Sequence, residues 1–456
     1  MARATRVSAP RKALLLAGAI LACLAHNLVL APLVHAAPSA AAAPGFDTAE
    51  AQRLLLALCV GGPRIAGSQA ASAAVALLLR ELGAVSELAR AAGATLEFEA
   101  VDSGHGSFET DFLDGFTNSY QGVVSVAARL TWPGAAREAV LLSSHFDTWS
   151  SSPGASDDAV HVATTVGVLR ALAAGPARGV SVLAFFSGAE ESNWVAAHAF
   201  ATRHRWAADY RAVLNLEAIG AGGDLVAFQM GPRAGWLASA LGDAGTQRGS
   251  VFAHDLFQIP GFPAGDDFKT LVAHAPHRGG AVRVTGVDFA TIEAGYHYHT
   301  PLDQPVDTGG YPQMRSHGEG LLAKTRAAMA GLRRELDAAA ADGGNGGAAG
   351  GERGARAPHE NEQTVDGPSD VVYFDLYGLA WVTYSASTGV WLHLLAAATA
   401  LGAIAVTGAG PSRAAAELAA MVGALLAAAL VGGLVAAVHP LATYGRPALA
   451  AGAYGG

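Results

Sequence analysis

The chain has few cysteines and few charged residues for its length. Its 456 residues include two cysteines, Cys23 and Cys59, which are too few for a framework of disulfide bonds. Charged residues make up 15% of the chain, and the net charge of -9 leaves no surplus of lysine and arginine to bind a phosphate backbone. These shortages exclude a disulfide-stapled scaffold, and they predict a protein that does not bind nucleic acid.

Hydrophobic residues, by contrast, make up 51% of the chain, and long apolar runs lie near both ends. Residues 13–36 follow several basic residues, which predicts a transmembrane signal anchor with residues 1–12 in the cytosol. A cleavable signal peptide ending at residues 34–36 is the alternative. Two further runs, at residues 389–407 and 414–438, predict a pair of transmembrane helices, so we expect a membrane-embedded protein.

Residues 46–338 have the composition of a globular domain, in which short apolar runs alternate with stretches of helical periodicity. The predicted strands are residues 139–144, 180–186, 212–216 and 288–292, and the predicted helices are residues 159–173 and 314–336. This alternation predicts an α/β fold with a mostly parallel central sheet and helices on both faces. Residues 339–370 are rich in glycine, alanine and charge, and they predict a flexible linker.

A histidine and two groups of carboxylates follow the first predicted strand. His145 comes directly after the strand, and Asp147 could orient its imidazole while the other ring nitrogen binds a metal ion. Asp157 lies in a Pro-Gly turn before a predicted helix, where an aspartate is most often a helix cap. Because Asp158 follows it directly, the turn holds one carboxylate more than a cap requires.

The other three predicted strands end in the same kind of residue. Glu190 and Glu191 follow the second strand, Glu217 follows the third, and the fourth leads to His297 and His299. Spacing alone does not choose between the two histidines. Because ligands collect at the carboxyl ends of parallel strands, we expect these side chains to meet at one edge of the sheet. Such a set predicts a metal-dependent active site, in which one glutamate of the pair binds metal and its neighbour acts as a base.

These segments resemble the di-zinc aminopeptidase family, which includes secreted bacterial enzymes. They are most similar to its endoplasmic-reticulum membrane metallopeptidase branch, from about residue 46 to the end of the chain. The motifs that carry the resemblance are Gly-Pro-Arg-x-x-Gly-Ser at 62–68, His-Phe-Asp, Pro-Gly-Ala-Ser-Asp-Asp, Ala-Glu-Glu, Asn-Leu-Glu and Tyr-His-Thr. The resemblance implies the zinc-aminopeptidase fold, also called phosphorylase/hydrolase-like, and two Zn²⁺ ions as cofactors.

The resemblance also implies a role for each site residue. The implied zinc ligands are His145, Asp157, Glu191, Glu217 and His299. Asp157 would bridge the two ions, and His299 is preferred to His297 because the family's histidine precedes a threonine. The implied catalytic residues are Glu190, as general base, and Asp147. Residues 264–268 read Ala-Gly-Asp-Asp-Phe where the branch has Ser-Asp-Thr-Asp-Phe, a departure that concerns substrate positioning more than metal binding.

The implied activity is hydrolysis of amino-terminal peptide bonds in peptide or protein substrates. The implied location is the endoplasmic reticulum membrane, with the catalytic domain in the lumen. A cytosolic amino terminus is consistent with that orientation. Two alternatives stay open: a catalytically inactive peptidase-fold scaffold in the membrane, and a single-zinc glutaminyl cyclase on the same fold.

Overall fold

The computed structural model describes residues 45–110, 115–245, 247–257, 265–276, 282–305, 311–343, 370–376 and 380–407. The chain divides into two units. The larger comprises residues 38–292 and 297–383, and the smaller comprises residues 1–37, 293–296 and 384–456.

The described part of the larger unit alternates helices and strands. The helices are α1 (Thr48–Cys59), α2 (Gln69–Ala91), α3 (Val160–Ala173), α4 (Val195–Arg203), α5 (Gly235–Asp243), α6 (Val251–Phe257), α7 (Asp267–Ala273) and α8 (Met314–Gly343). The strands are β1 (Thr95–Asp102), β2 (His105–Thr110), β3 (Phe116–Gln121), β4 (Val124–Thr131), β5 (Ala136–His145), β6 (Val180–Ser187), β7 (Tyr210–Ala218), β8 (Val226–Met230), β9 (Arg248–Gly249), β10 (Thr285–Thr291), β11 (Val371–Leu376) and β12 (Ala380–Ser385). All four predicted strands and both predicted helices are present.

The central sheet is mixed rather than mostly parallel. Its order in the described residues is β1-β4-β6-β5-β7-β10-β8-β9. The four central strands, β6, β5, β7 and β10, are mutually parallel, whereas β1, β4 and β8 join the sheet through antiparallel pairs. The predicted parallel arrangement is therefore right for the centre of the sheet and wrong for its flanks. Strand β1 is half-exposed and β4 carries Ser125 and Arg129, so neither forms the continuous apolar run that predicts a buried strand.

Helices cover both faces of the sheet, as predicted. Every residue of β6 is buried, and successive side chains alternate between two cores. Val182 and Phe186 pack into the core formed with α1, α2, α3 and α8. Leu183 and Phe185 pack into the core formed with α4 and α7. This double burial explains why apolar residues predominate in the central strands.

The register of the central strands places their carboxyl ends side by side. His145 of β5 pairs with Ser187 of β6, and Glu217 of β7 pairs with Ala290 of β10. The segments that follow these strands therefore start from one edge of the sheet.

The predicted carboxyl-terminal limit of the domain, residue 338, is too early. Helix α8 continues to Gly343, so residues 339–343, assigned to the linker, are helical. Residues of β11 and β12 also contact the rest of the larger unit, because Asp375 accepts a hydrogen bond from the Gly249 amide at 3.0 Å and Trp381 donates one to the Ala238 carbonyl at 3.1 Å. These contacts are between residues far apart in the chain, which local composition does not reveal.

In the smaller unit, helix α9 (Ala386–Thr407) covers the predicted span at residues 389–407. None of the helices that the structure describes has both the length and the hydropathy needed to cross a bilayer. The apolar runs at residues 13–36 and 414–438 lie outside the described residues, so all three spans stay predictions.

Candidate metal centre

One buried aspartate lies between two histidines. Strand β5 ends at His145, and Asp157 lies in a π-helical turn (Ala155–Ala159) just before α3. The Oδ1 atom of Asp157 is 3.1 Å from Nε2 of His145, and its Oδ2 atom is 3.2 Å from Nε2 of His299. The two oxygens of a single carboxylate thus face two imidazoles.

A second carboxylate accompanies each histidine. The Oε1 atom of Glu217 is 3.5 Å from Nε2 of His145, and the Oε2 atom of Glu191 is 3.2 Å from Nε2 of His299. The residues that the sequence singled out therefore form two adjacent groups that share Asp157. Each group contains one histidine and one glutamate in addition to the shared aspartate.

Asp158 also lies within reach of His145 and Glu217. Its carboxylate, however, already has two protein partners, because Oδ2 accepts the backbone N–H of His145 at 3.1 Å and Oδ1 is hydrogen-bonded to His161. Asp157 makes its contacts with ring nitrogens of two histidines instead. Asp157 is therefore the better candidate to bind a metal ion, while Asp158 holds the end of β5 in place.

The donor set fits a pair of zinc ions. Nitrogen and oxygen atoms about 2.0–2.1 Å from a tetrahedral zinc ion lie about 3.3 Å from one another, close to the 3.1–3.5 Å separations observed. Among the described residues, Nε2 of His145, Oδ2 of Asp157 and Oε1 of Glu191 are buried without a hydrogen-bond partner. Unpaired buried polar atoms are unfavourable, and metal ligation would satisfy all three.

The electrostatics of the site favour a bound cation. Burial raises the pKa of Glu217 to about 8, and burial together with Glu217 raises the pKa of Glu190 well above its ordinary value. Burial alone would lower the pKa of His299, but the contacts of its ring nitrogen with the carboxylates of Asp157 and Glu191 outweigh burial and raise the pKa to about 9. The pKa values of crowded, buried carboxylates rise in this way when positive charge is lacking nearby, and metal ions supply such charge.

Asp147 positions the site in two ways, only one of which the sequence suggested. Its backbone carbonyl lies 3.0 Å from Nδ1 of His145, so that nitrogen carries the proton and Nε2 is left to bind metal. The carboxylate, expected to orient the imidazole, is more distant, at 3.6 Å from Nδ1. It instead accepts the backbone N–H groups of Glu190 and Glu191 at 3.0 and 3.1 Å. Asp147 thereby fixes the loop that carries both glutamates.

The structure distinguishes the two candidate histidines. His297 uses Nδ1 in a 2.8 Å contact with the Leu302 carbonyl, whereas His299 faces Asp157 and Glu191. His299 has a φ of 57°, a left-handed conformation that is uncommon for a non-glycine residue. Strained conformations of this kind are concentrated at functional sites, and Asn193 and Trp194, which follow the glutamate pair, share it.

Two positioning residues were not assigned a role from the sequence. The guanidinium of Arg64 donates to the carbonyls of Phe146, Pro153 and Gly154 at 2.6–2.9 Å, joining the segment after His145 to the turn before Asp157. The Gly-Pro-Arg motif pointed to Arg64, but a local pattern does not reveal its distant partners.

Asp303 supports the same turn from the other side. Its carboxylate accepts the backbone N–H groups of Ser156 and Asp157, at 2.8 and 3.2 Å. The only feature of the sequence that pointed to Asp303 was its position four residues after His299. Together these residues hold the Asp157 backbone in place while its side chain faces the histidines.

The match to a protein family covers the whole metal centre. Residues 125–322 match the model of Peptidase family M28. This segment of the chain is therefore similar to a peptidase family M28 domain. All the predicted ligands, from His145 to His299, lie inside it, whereas Arg64 lies before it.

Curated relatives of the chain confirm the resemblance seen in the motifs. The chain is 38% identical over 263 residues to endoplasmic reticulum metallopeptidase 1 of Rattus norvegicus, a match that covers 57% of this chain and 28% of the relative. It is 41% identical over 200 residues to the Homo sapiens protein of the same name, a match that covers 43% of this chain and 21% of the relative. The chain thus spans only about a quarter of these relatives. Among solved structures, the Legionella pneumophila LapA aminopeptidase matches with a TM-score of 0.45 and 13% identity, over 63% of this chain and 72% of that one.

Proposed function

We propose that this chain is a zinc metallopeptidase that hydrolyses the amino-terminal peptide bond of peptide or protein substrates. The observation that carries the proposal is the position of Asp157, whose two carboxylate oxygens lie 3.1 and 3.2 Å from the Nε2 atoms of His145 and His299. A carboxylate that faces two imidazoles in this way has the geometry of a bridging ligand between two metal ions.

The residues present suit two zinc ions. His145, Asp157 and Glu217 would hold one, and Asp157, Glu191 and His299 would hold the other, which gives each ion one nitrogen and two oxygen donors. With three protein ligands, each ion would keep a position for water or substrate. Zinc in such a site polarises a peptide carbonyl and lowers the pKa of water towards neutrality.

Glu190 is the proposed general base. It is buried beside Glu217, and its backbone is held by the Asp147 carboxylate, so the side chain starts from a fixed position next to the ligands. A carboxylate there would take a proton from the attacking water and pass it to the leaving amine. The peptide bond breaks as the water oxygen bonds to the carbonyl carbon.

Glu190→Gln tests the base directly. The substitution keeps the size of the side chain but removes its capacity to accept a proton, so we expect kcat to fall at least about 100-fold while two zinc ions remain bound. Metal content and hydrolysis of unblocked dipeptides are measured on the same preparations. Glu87→Gln, at an exposed position on α2, is the matched control. Retained activity in the Glu190 variant would remove the base assignment.

The same assay separates the two alternatives. An inactive scaffold would release no amino acid at any zinc concentration. A glutaminyl cyclase would convert an amino-terminal glutamine to pyroglutamate with loss of ammonia, a product that mass spectrometry distinguishes from a cleaved peptide. We favour the peptidase because the two groups around Asp157 supply donors for two metal ions rather than one.

We also propose that the domain lies in the lumen of the endoplasmic reticulum, anchored by the apolar runs near the chain ends. The names of the two relatives support the compartment. Gly93→Asn tests the orientation, because it creates an Asn-Ala-Thr glycosylation acceptor with Ala94 and Thr95 at an exposed left-handed position that asparagine tolerates. A glycan sensitive to endoglycosidase H is expected, and it should be absent when Thr95→Ala is added. Absence of the glycan from the single variant in cells would contradict a lumenal domain.

A further inference from the structure

Trp149 places a large apolar ring beside the metal centre. Its indole stacks on the imidazole of His299 with ring centroids 4.7 Å apart and planes only 4° from parallel. The loop that carries Trp149 makes a second contact with His299, because the Ser151 hydroxyl donates a hydrogen bond to the His299 carbonyl at 3.1 Å. The loop after Asp147 therefore fixes both the backbone and the ring of His299.

Although it is held in place, Trp149 is 44% exposed. Three other tryptophans of the same unit, Trp132, Trp194 and Trp206, are each less than a tenth exposed and pack as core residues. Trp149 thus keeps a large part of its indole in contact with water next to buried carboxylates and histidines. An aromatic ring immobilised at the rim of a polar site offers apolar contact area at little further loss of side-chain entropy.

We propose that Trp149 is a specificity residue that contacts a large apolar or aromatic side chain of the substrate next to the scissile bond. The inference rests on the proposed peptidase function and names its substrate class. Because the indole lies directly on His299, a peptide whose carbonyl is at the metal centre brings its flanking side chains within reach of the ring. The neighbouring ligands are polar, so Trp149 provides an apolar surface on which such a side chain can be buried.

Dipeptides that differ at one position test this contact. The substrates are X-Ala and Ala-X, with X as phenylalanine, leucine or alanine, so that each side of the scissile bond is examined separately. In one of the two series, we expect Trp149→Ala to lower the ratio of kcat/KM for phenylalanine over alanine by about 10-fold or more, mainly through KM. Trp149→Phe keeps an aromatic face and should retain most of that preference. Phe252→Ala, at another exposed aromatic of the unit, should leave the ratio unchanged.

Zinc content separates substrate contact from a purely structural role. If Trp149 only orients His299, Trp149→Ala would lower bound zinc and reduce hydrolysis of every dipeptide by the same factor. That result would overturn the proposal, as would a gain in hydrolysis of the phenylalanine substrates, which would show that the indole obstructs large side chains.

A binding experiment keeps this inference distinct from the proposed function. Calorimetric titration of zinc-loaded protein with L-phenylalanine and with L-alanine measures the apolar contact without turnover. We expect the unsubstituted chain to bind L-phenylalanine more tightly than L-alanine. Trp149→Ala should reduce the ratio of these two affinities about 10-fold. A chain that hydrolyses no dipeptide but shows this loss would refute the peptidase proposal alone. Equal affinities in the variant and the unsubstituted chain would refute the role of Trp149.

Discussion

Arg64 shows how much of the metal centre depends on a residue that touches no ligand side chain. It is 1% exposed, and its guanidinium donates to four backbone carbonyls, those of Leu58, Phe146, Pro153 and Gly154. A planar guanidinium can serve several acceptors in different directions, whereas an ammonium is a single point donor. Arg64 thus sets the separation between the segments that carry His145 and Asp157.

We therefore expect Arg64→Lys to weaken both stability and metal binding. Hydrogen bonds from a charged donor contribute about 1.5–3 kcal/mol each, and lysine would leave at least one buried carbonyl unpaired, so the free energy of unfolding should fall by about 3 kcal/mol. Urea denaturation and zinc titration measure the two effects. Arg315→Lys, at an exposed position on α8, should change neither. A variant with unaltered zinc affinity would show that Arg64 does not position the ligands.

At the scale of elements, strand β6 connects the fold to the site. Gly179 precedes the strand and Gly188 follows it, two residues before Glu190. A Cβ atom at Gly188 would lie 2.1 Å from the Val124 carbonyl oxygen, which belongs to the backbone of β4 and has little freedom to move. A Cβ atom at Gly179 would lie 3.2 Å from the Cδ atom of the flexible Arg333 side chain. The glycines at the two ends of β6 are therefore a matched pair of positions for an alanine substitution, one against rigid backbone and one against a flexible side chain.

Gly188→Ala should displace the end of β6 and the glutamate loop after it. We expect a loss of about 1–3 kcal/mol in unfolding free energy, as for other overpacked sites, together with a fall in kcat larger than that from Gly179→Ala. Gly179→Ala should be close to neutral. Chemical denaturation and dipeptide hydrolysis measure both variants. If the two substitutions behaved alike, the close approach of Gly188 to β4 would not restrict the site.

Most of what the sequence predicts correctly is local in the chain. Strands β5, β6, β7 and β10 are largely buried on both faces, so apolar residues predominate in each and the sequence pattern detects them. The histidines and carboxylates at their ends are local too. Strand β4 is missed because Arg129 interrupts it. That side chain is buried in the structure, where its charge is paired with Asp209, eighty residues away in the chain. The roles of Arg64 and Asp303 are missed for the same reason, since their partners are distant in sequence.

For the whole molecule, the buried Lys324 makes stability depend on pH. It is 8% exposed on α8, near the ring of Phe289, and burial lowers its pKa from 10.5 to about 8. Below about pH 8 the lysine is charged in both the folded and the unfolded state, and the folded state bears the full desolvation penalty. Between about pH 8 and 10.5 the unfolded state binds the proton and the folded state does not, so this group's contribution to stability rises with pH.

Lys324→Met should therefore stabilise the protein at pH 7 by about 3 kcal/mol, because the lowering of the lysine pKa from 10.5 to about 8 corresponds to about 1.4 kcal/mol per pKa unit. The advantage of the variant should shrink as the pH rises from about 8 to 10.5, while other titrating groups cancel in the difference. Urea denaturation of both proteins across this range provides the measurement. A constant difference, or a less stable variant at pH 7, would show that the buried lysine is not destabilising.

The central claim is that Asp157 bridges two zinc ions, and the most direct measurement is zinc bound per chain at saturation. Elemental analysis after removal of free metal should give two zinc ions for the unsubstituted chain. Asp157→Asn replaces one ligand oxygen by an amide nitrogen, so it should lower the affinity for both ions, whereas Glu191→Gln should weaken one of them. One zinc ion or none in the unsubstituted chain, or two ions held with unchanged affinity after Asp157→Asn, would contradict the account.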